Sequence, residues 1–395
     1  MIQTALKTET EIDFQAILDT VHRLGREVVA PASGDVDAEA RFPHEAFEAF
    51  KAEKFLSAYV PEELGGMGLS MTQISRICEA MGHYCASTAM VFAMHQIQVA
   101  CLVHHQAEVE FGQSFLREIV EKQLVLASAT TEMGTGGDLG TSICAVEVDG
   151  DSFTLEKQAP VISYALEADA ILVTARRAPE AGPNDQVHVI VRREDTKLEQ
   201  IAGWDTLGFR GTRSLGFILR AEGHKDQILP VPFAEILAES MHPFSHMVWG
   251  SLWLGLATDA VNIARASLRK SMRKNPELPQ VTALRLAEVD EILFEMRSGL
   301  YATMEEYERL LARGDSDAFT NYGFSIRVNN VKITCSELVV DIVSKALLIV
   351  GISAYKNDSS SSLSRHIRDA YGAALMVNND RIRGYNAQMQ VIHRS

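Results

Sequence analysis

Ser128-Ala129-Thr130-Thr131-Glu132-Met133-Gly134-Thr135-Gly136-Gly137-Asp138 follows the apolar run Leu124 to Ala127 and sets three glycines among hydroxyl side chains, ahead of an acidic residue. Glycine carries no Cβ, so its backbone can lie close against a planar or anionic ligand. Threonine hydroxyls beside it can hydrogen-bond the edge of a ring. A plain surface turn has the same composition. What flanks the stretch decides between the two.

Upstream, residues 1 to 125 carry helical periodicity. Glu11 to Val29 predicts a helix that stops before Pro31, and Phe42 to Phe55 predicts a second, ended by Pro61-Glu62-Glu63-Leu64-Gly65-Gly66. Ser70 to Ala86 and Thr88 to His104 follow. The last is apolar almost all round, which predicts a buried helix. Downstream of Gly140 the period changes to two. Cys144 to Val148 alternates, Asp149-Gly150 is a hairpin turn signal, and Phe153 to Glu156 alternates again. Ala170 to Ala175, Val187 to Val191 and Ser214 to Leu219 extend the series of short strands, and Pro230 and Pro232 mark its end. From Pro243 the helical period returns over Met247–Arg273, Val281–Arg313, Ala318–Gly351 and Leu363–Arg383, with Tyr322 to Asn329 as a point of interruption in the third. The expected fold is α+β: an N-terminal helical domain (1–125), a small β-barrel or sandwich domain (126–230) and a C-terminal four-helix bundle (231–395).

Composition narrows the function. With 395 residues, 47% hydrophobic and 23% charged, the chain is an ordinary globular protein of more than one domain. A net charge of −15 argues against broad binding to nucleic acid or anionic membranes, both of which require a positive field. Five scattered cysteines without C-x-x-C spacing fit reduced thiols, not a disulfide framework or a zinc site. The opening MIQTALKTETEIDF has no apolar signal core, and no uninterrupted apolar run reaches bilayer length. A cytoplasmic protein without a metal site is expected.

The order of motifs resembles the acyl-CoA dehydrogenase flavoprotein family over nearly the whole chain. Pro61 to Gly68 is similar to the family's P-E-x-x-G-G-x-G turn, and Thr131 to Asp138 to its T-E-P-G-A-G-S-D loop. Gly208-Phe209-Arg210-Gly211-Thr212 resembles G-x-R-G-[ST], Leu254-Gly255-Leu256-Ala257 resembles L-G-x-A, and Arg368-Asp369-Ala370 matches R-D-A. The resemblance implies FAD between the β domain and the bundle. It places Thr131, Gly136 and Gly137 at the flavin, with Val161-Ile162-Ser163 as the strand edge where the family has W-I-[ST]. Ser163 keeps the hydroxyl; Val161 replaces the aromatic, and Gly137 replaces the loop's serine. Gly351 stands where paired glycines approach the adenine, and Asn379 where a flavin-contacting threonine stands. A neighbouring subunit's arginine holds the pyrophosphate in the family. Arg269 and Arg273 both remain open for that role, and Gln280 supplies an amide nearby.

Flavin oxidation of an acyl thioester needs a base for the α-proton while the flavin takes a hydride from the β-carbon. The family mostly places a glutamate nine residues after the arginine of R-D-A, which here is Val377. A minority carries it on the first bundle helix, where Ser245 and His246 stand. Related flavin monooxygenases carry histidine signatures on the last helix, and here Met376 and Val377 fall there. His246 is the first substitute, because a neutral imidazole acts near pH 7. Asp380, three residues past Val377 on nearly the same helical face, is the second. His95 lines the acyl pocket or serves as a hydrogen-bonded core histidine; Ser128 and Ser245 complete the expected substrate contacts. The leading reading is α,β-dehydrogenation of an acyl thioester, on CoA or a carrier protein, by an unusual base. A flavin monooxygenase or oxidase and a catalytically silent flavin or acyl-CoA binder are the alternatives. The family pattern further implies a homotetramer built as two dimers and, for a dehydrogenase, an electron-transferring flavoprotein partner.

Overall fold

The computed structural model describes residues 13–106, 109–274, 280–314 and 316–393. Helix α1 (Phe14–Leu24) passes through a wide π turn (Gly25–Val29) into α2 (Ala30–Ala38). The expected stop before Pro31 is thus corrected. The π turn shifts the hydrogen-bond register, so Pro31 stands in the first turn of a new segment, where its missing N–H is not needed. Gly25 lies at this turn because a Cβ there would meet the Tyr84 ring at 2.1 Å. Helices α3 (His44–Ala52), α4 (Met71–Gly82), α5 (Ala86–Gln106) and α6 (Glu110–Lys122) complete the N-terminal layer. Ser70 and Gln73 form a capping box that starts α4. Helix α5 is long and apolar enough to cross a membrane by length and composition, although His95, Gln96 and Gln98 interrupt its apolar run. Yet 89% of its most apolar window is buried in this fold, as in a core helix.

Among the described residues, seven strands form two sheets. In the first, β1 (Leu126–Ala129) runs parallel to β4 (Ala170–Arg176), and β5 (Gln186–Arg192) pairs antiparallel with β4. In the second, the order is β2 (Glu147–Asp149), β3 (Ser152–Ile162), β7 (Leu215–His224), β6 (Thr196–Ala202). The Asp149-Gly150 turn joins β2 to β3, with Asp149 opposite Ser152. Strand β3 alternates exposed and buried positions strictly from Ser152 to Pro160, which points Lys157 inward.

The chain returns to helix with α7 (Phe233–Ile236), a second π turn (Leu237–Met241) and α8 (His242–Lys274). Helices α9 (Gln280–Arg313), α10 (Ser316–Phe319), α11 (Tyr322–Val350), α12 (Ile352–Tyr355), α13 (Ser364–Gly372) and α14 (Asn379–Ile392) follow. The expected interruption within Tyr322–Asn329 lies instead just before Tyr322, where Asn321 caps α11. The α+β fold of helices, small sheets and helices is the one expected.

Helix α8 crosses α4 at Gly255, where a Cβ would sit 2.0 Å from the Glu79 carbonyl, and at Gly82, where it would sit 2.3 Å from the Leu252 carbonyl. Neither obstacle is a flexible side chain. Gly255→Ala is therefore expected to lower the unfolding free energy by about 3 kcal/mol, the upper end of overpacking penalties. Gly34→Ala, in open space on α2, should be neutral or mildly stabilising. Denaturant unfolding of the two variants checks the contrast.

Candidate functional site

The glycine loop is anchored by a buried ion pair. Glu132 accepts the backbone N–H of Cys144 at 2.6 Å and of Ile143 at 3.1 Å. Lys157, wholly buried, approaches Glu132 at 3.3 Å and donates to the Thr174 carbonyl at 2.7 Å and its hydroxyl at 3.1 Å. Burial pulls the Lys157 pKa down, against the opposing pull of Glu132. Beyond this anchor, Gly134, Gly136 and Gly137 all take positive φ (94°, 62° and 78°), a backbone that side-chain-bearing residues rarely adopt. A Cβ on Gly137 would meet the Arg381 guanidinium at 2.6 Å. Arg381 donates to the carbonyls of Gly136 and Gly137, and Tyr385 donates to Asp138 at 3.3 Å. The missing serine side chain at Gly137 is thus explained by an arginine from α14.

Ser163 follows the buried Ile162 at the end of β3. Thr212 has one hydroxyl proton and donates it to the Phe209 carbonyl at 2.8 Å. Ser214 must then donate to Thr212 at 2.8 Å and Ser163 to Ser214 at 2.8 Å, which leaves the Ser163 oxygen as an acceptor only. Thr131 donates its hydroxyl to the Val161 carbonyl at 3.0 Å, tying the loop to this strand edge. Ser128 is half-buried on β1 beside them.

The R-D-A and G-F-R-G-T motifs meet. Arg368 donates to both carboxylate oxygens of Asp37 and to the Leu207 carbonyl at 2.9 Å. Asp369 accepts the Phe209 N–H at 2.6 Å, and burial raises its pKa to about 6. Gly208 leaves room for the Arg368 carbonyl, which a Cβ would approach to 2.2 Å.

The expected continuous last helix is broken over 373–378. Val377 (φ 53°) and Asn378 (φ 42°) are left-handed, and Asn378 caps α14 by accepting the Asp380 N–H at 2.9 Å. A β-branched residue in this region is held there by its surroundings. The break corrects the placement of Asp380. It does not share a helical face with Val377; its side chain is 93% exposed in the first turn of α14, 3.6 Å from Arg383. Asn379, one residue earlier, is buried and accepts from Lys332 Nζ at 2.7 Å. The first turn of α14 thus reaches the glycine loop through Arg381 and the bundle interior through Asn379.

That interior is a polar seam between α8 and α11. His242 bonds Asn329 at 2.7 Å, and Lys332 lies 6.0 Å from the centre of the Trp253 ring. Ser245 donates its hydroxyl proton to the His242 carbonyl at 2.9 Å. Its 3.1 Å contact with His246 Nδ1 is then a hydrogen bond only if Nδ1 carries the imidazole proton. His246 Nε2 is left as a bare lone pair, buried and without a hydrogen-bond partner among the described residues. Burial, with His242 and Lys332 adding to it, holds the His246 pKa well below its usual value, so the ring is neutral at physiological pH. Lys332, fully buried, was not singled out from the sequence. It stands at a helical core position, and lysine is normally read there as a solvated residue.

His95 is corrected to a structural role. Its Nδ1 accepts the Leu126 N–H at 3.0 Å and its Nε2 bonds the Leu56 carbonyl at 2.7 Å, so neither nitrogen is free for a substrate. Burial lowers its pKa to about 4. Arg269 and Arg273 are exposed toward the end of α8, and Gly351 ends α11 with φ 75° in the open. Among the described residues, no hydrogen bond or ion pair joins these three to the loop. Gln280 opens α9, and its side chain lies outside the described residues.

Helices flanking a two-sheet β region, with a glycine loop facing the last bundle helix, define the acyl-CoA dehydrogenase fold. Residues 11–123 match the family model "Acyl-CoA dehydrogenase, N-terminal domain". The chain is 26% identical to cyclohex-1-ene-1-carbonyl-CoA dehydrogenase of Syntrophus aciditrophicus (strain SB), over 90% of this chain and 84% of that one. Butyryl-CoA dehydrogenase from Megasphaera elsdenii superposes with a TM-score of 0.83 at 17% identity, covering 98% of this chain and 100% of that one. FMN-bound TdsC from Paenibacillus sp. A11-2 does so with 0.83 at 18% identity, covering 96% and 98%. The chain is thus similar to acyl-CoA dehydrogenases over 90% of its length, and its residues 11–123 match that family's N-terminal domain.

Proposed function

We propose that this chain is an FAD-dependent oxidoreductase that desaturates an acyl thioester, with His246 as the base. The observation that carries the reading is the His246 Nε2 lone pair, buried and unpartnered on the first long bundle helix. Relatives named as acyl-CoA dehydrogenases support the substrate class. The residues suit a flavin: three loop glycines take positive φ, and the Ser163 oxygen at the end of β3 is left free to accept. A bound flavin supplies the acceptor for the hydride leaving the β-carbon. His246 takes the α-proton on Nε2, while Ser245 holds Nδ1–H and so fixes ring and tautomer. The imidazolium formed is offset by the negative charge developing on the thioester carbonyl, an attraction strengthened by the dry surroundings.

A second reading, a flavin monooxygenase or oxidase, is favoured by Val377, which offers no proton acceptor. TdsC, a dibenzothiophene monooxygenase with the same fold, supports it on fold alone. Anaerobic mixing with a panel of saturated acyl-CoAs separates the two. Bleaching of the flavin supports desaturation. No bleaching, with substrate-dependent oxygen uptake by the reduced flavin, supports the second reading and overturns the first.

Exposed apolar side chains on α9, α11 and α12, including Phe294, Leu348, Ile352 and Tyr355, support self-association into a tetramer. Electrons would leave to an electron-transferring flavoprotein. Five free, buried cysteines fit a cytoplasmic setting.

A further inference from the structure

We infer that the edge formed by Thr131 and Ser163 can only accept hydrogen bonds, so that it holds reduced flavin more tightly than oxidised flavin, and that Thr212 and Ser214 are the positioning residues that set this polarity. The inference rests on the reading of the site as a flavin site. It is independent of His246 and of the substrate.

A count of protons decides the polarity. A hydroxyl carries one proton and two lone pairs. Thr212 stands 2.8 Å from the Phe209 carbonyl, which cannot donate, so the Thr212 proton is spent there. Its 2.8 Å contact with Ser214 must then run from Ser214 to Thr212, and the 2.8 Å contact of Ser214 with Ser163 must run from Ser163 to Ser214. Thr131 has spent its own proton on the Val161 carbonyl at 3.0 Å. Thr135, further along the glycine loop, has spent its proton on the Glu132 carbonyl at 3.1 Å. The relay cannot easily turn around. Thr212 and Ser214 are buried, and the Tyr164 N–H donates to the Thr212 carbonyl at 2.8 Å, which ties the residue after Ser163 to the far end of the relay. The Thr131 and Ser163 oxygens thus flank one strand end, each on a half-buried residue and each with lone pairs only.

The two redox states of a flavin differ at such an edge. The oxidised ring carries a lone pair on N5, and its ring N–H is at N3. A hydride arriving with its two electrons puts a hydrogen on N5 and turns that lone pair into a donor. Against acceptors alone, the oxidised nitrogen sets lone pair against lone pair, whereas the reduced one completes a hydrogen bond. A hydroxyl free to rotate would serve both states; one whose proton is committed serves the reduced state. Binding that favours one state shifts the equilibrium toward it by the difference in affinity, so the potential of the bound flavin is raised.

Two substitutions test this. Ser214→Ala removes the acceptor of the Ser163 proton and frees that proton to turn toward the ring; Ser163→Ala removes the oxygen itself. The potential of the flavin-loaded, full-length protein is measured without oxygen by equilibrium reduction against a reference dye, and affinity for oxidised flavin by fluorescence quenching. Each variant should move the oxidised-to-reduced ratio about tenfold toward oxidised, the worth of one hydrogen bond near the top of the usual range. That is a potential about 30 mV lower for a two-electron couple. Oxidised flavin should bind about tenfold more tightly to Ser214→Ala than to the parent chain, and with a smaller change to Ser163→Ala. An unchanged or raised potential in either variant, the result if the edge faces N3–H, overturns the inference. Failure of the parent chain to bind flavin removes the flavin reading and this inference together. If the potentials shift as expected while no acyl-CoA bleaches the flavin, the desaturase reading falls and the polarity of the edge stands.

Discussion

His246→Ala is expected to keep its fold and its flavin while slowing anaerobic flavin reduction by acyl-CoA by about 10²- to 10⁴-fold, the usual worth of a positioned general base. The site explains why no neighbour takes over. Ser245 has committed its proton to the His242 carbonyl, His242 is bonded to Asn329, and both nitrogens of His95 are used by the backbone. Asp380, the nearest carboxylate in sequence to the family's base position, faces solvent. Val377→Glu in the His246→Ala background should then restore part of the rate, because it returns a carboxylate to the turn beside Asn379. Stopped-flow reduction of the variants checks both. Full-rate bleaching by His246→Ala would remove the imidazole from the reaction.

Glu132→Ala is expected to have the largest effect on stability. It leaves the Lys157 ammonium buried without its counter-charge and strips the Ile143 and Cys144 N–H groups of their acceptor. Breaking one side of such a pair costs about 3–5 kcal/mol, and the loss should appear as a lower denaturation midpoint together with faster proteolysis across 131–140. Glu132→Gln should cost less, since an amide oxygen can still accept one backbone N–H. Equal stability of Glu132→Ala and the parent chain would show that the pair does not anchor the loop.

The motifs legible in the sequence turn out to be mostly places where two segments touch with no room for a side chain. Gly66 packs against the Val60 carbonyl, Gly208 against that of Arg368 and Gly255 against that of Glu79. Their spacing therefore revealed the fold, because close contact dictates glycine wherever the chain runs. The glycine loop at Thr131–Asp138 was legible for a different reason, since its three glycines take positive φ, a backbone that favours glycine. Arg381 was not, because a bond from α14 to a loop more than two hundred residues earlier leaves no local trace.

The break at 373–378 was hidden by composition. Ala373 to Val377 are all apolar and continue a helical pattern, whereas the cap signal Asn378-Asn379-Asp380 is short and was outweighed. Lys332 and His246 were obscured differently. Periodicity assigns α8 and α11 a buried seam, and only the folded arrangement shows that polar side chains fill part of it. The tautomer of His246 likewise depends on where one serine proton goes, and no spacing encodes that.

The central claim is that this chain removes an α-proton from an acyl thioester. Incubating the flavin-loaded protein with a saturated acyl-CoA in D2O, without oxygen, and measuring the recovered thioester by mass spectrometry tests it most directly. The account predicts deuterium at the α-carbon and an enoyl product, both lost in His246→Ala. Recovery of unlabelled, unoxidised acyl-CoA across the panel of chain lengths would contradict it.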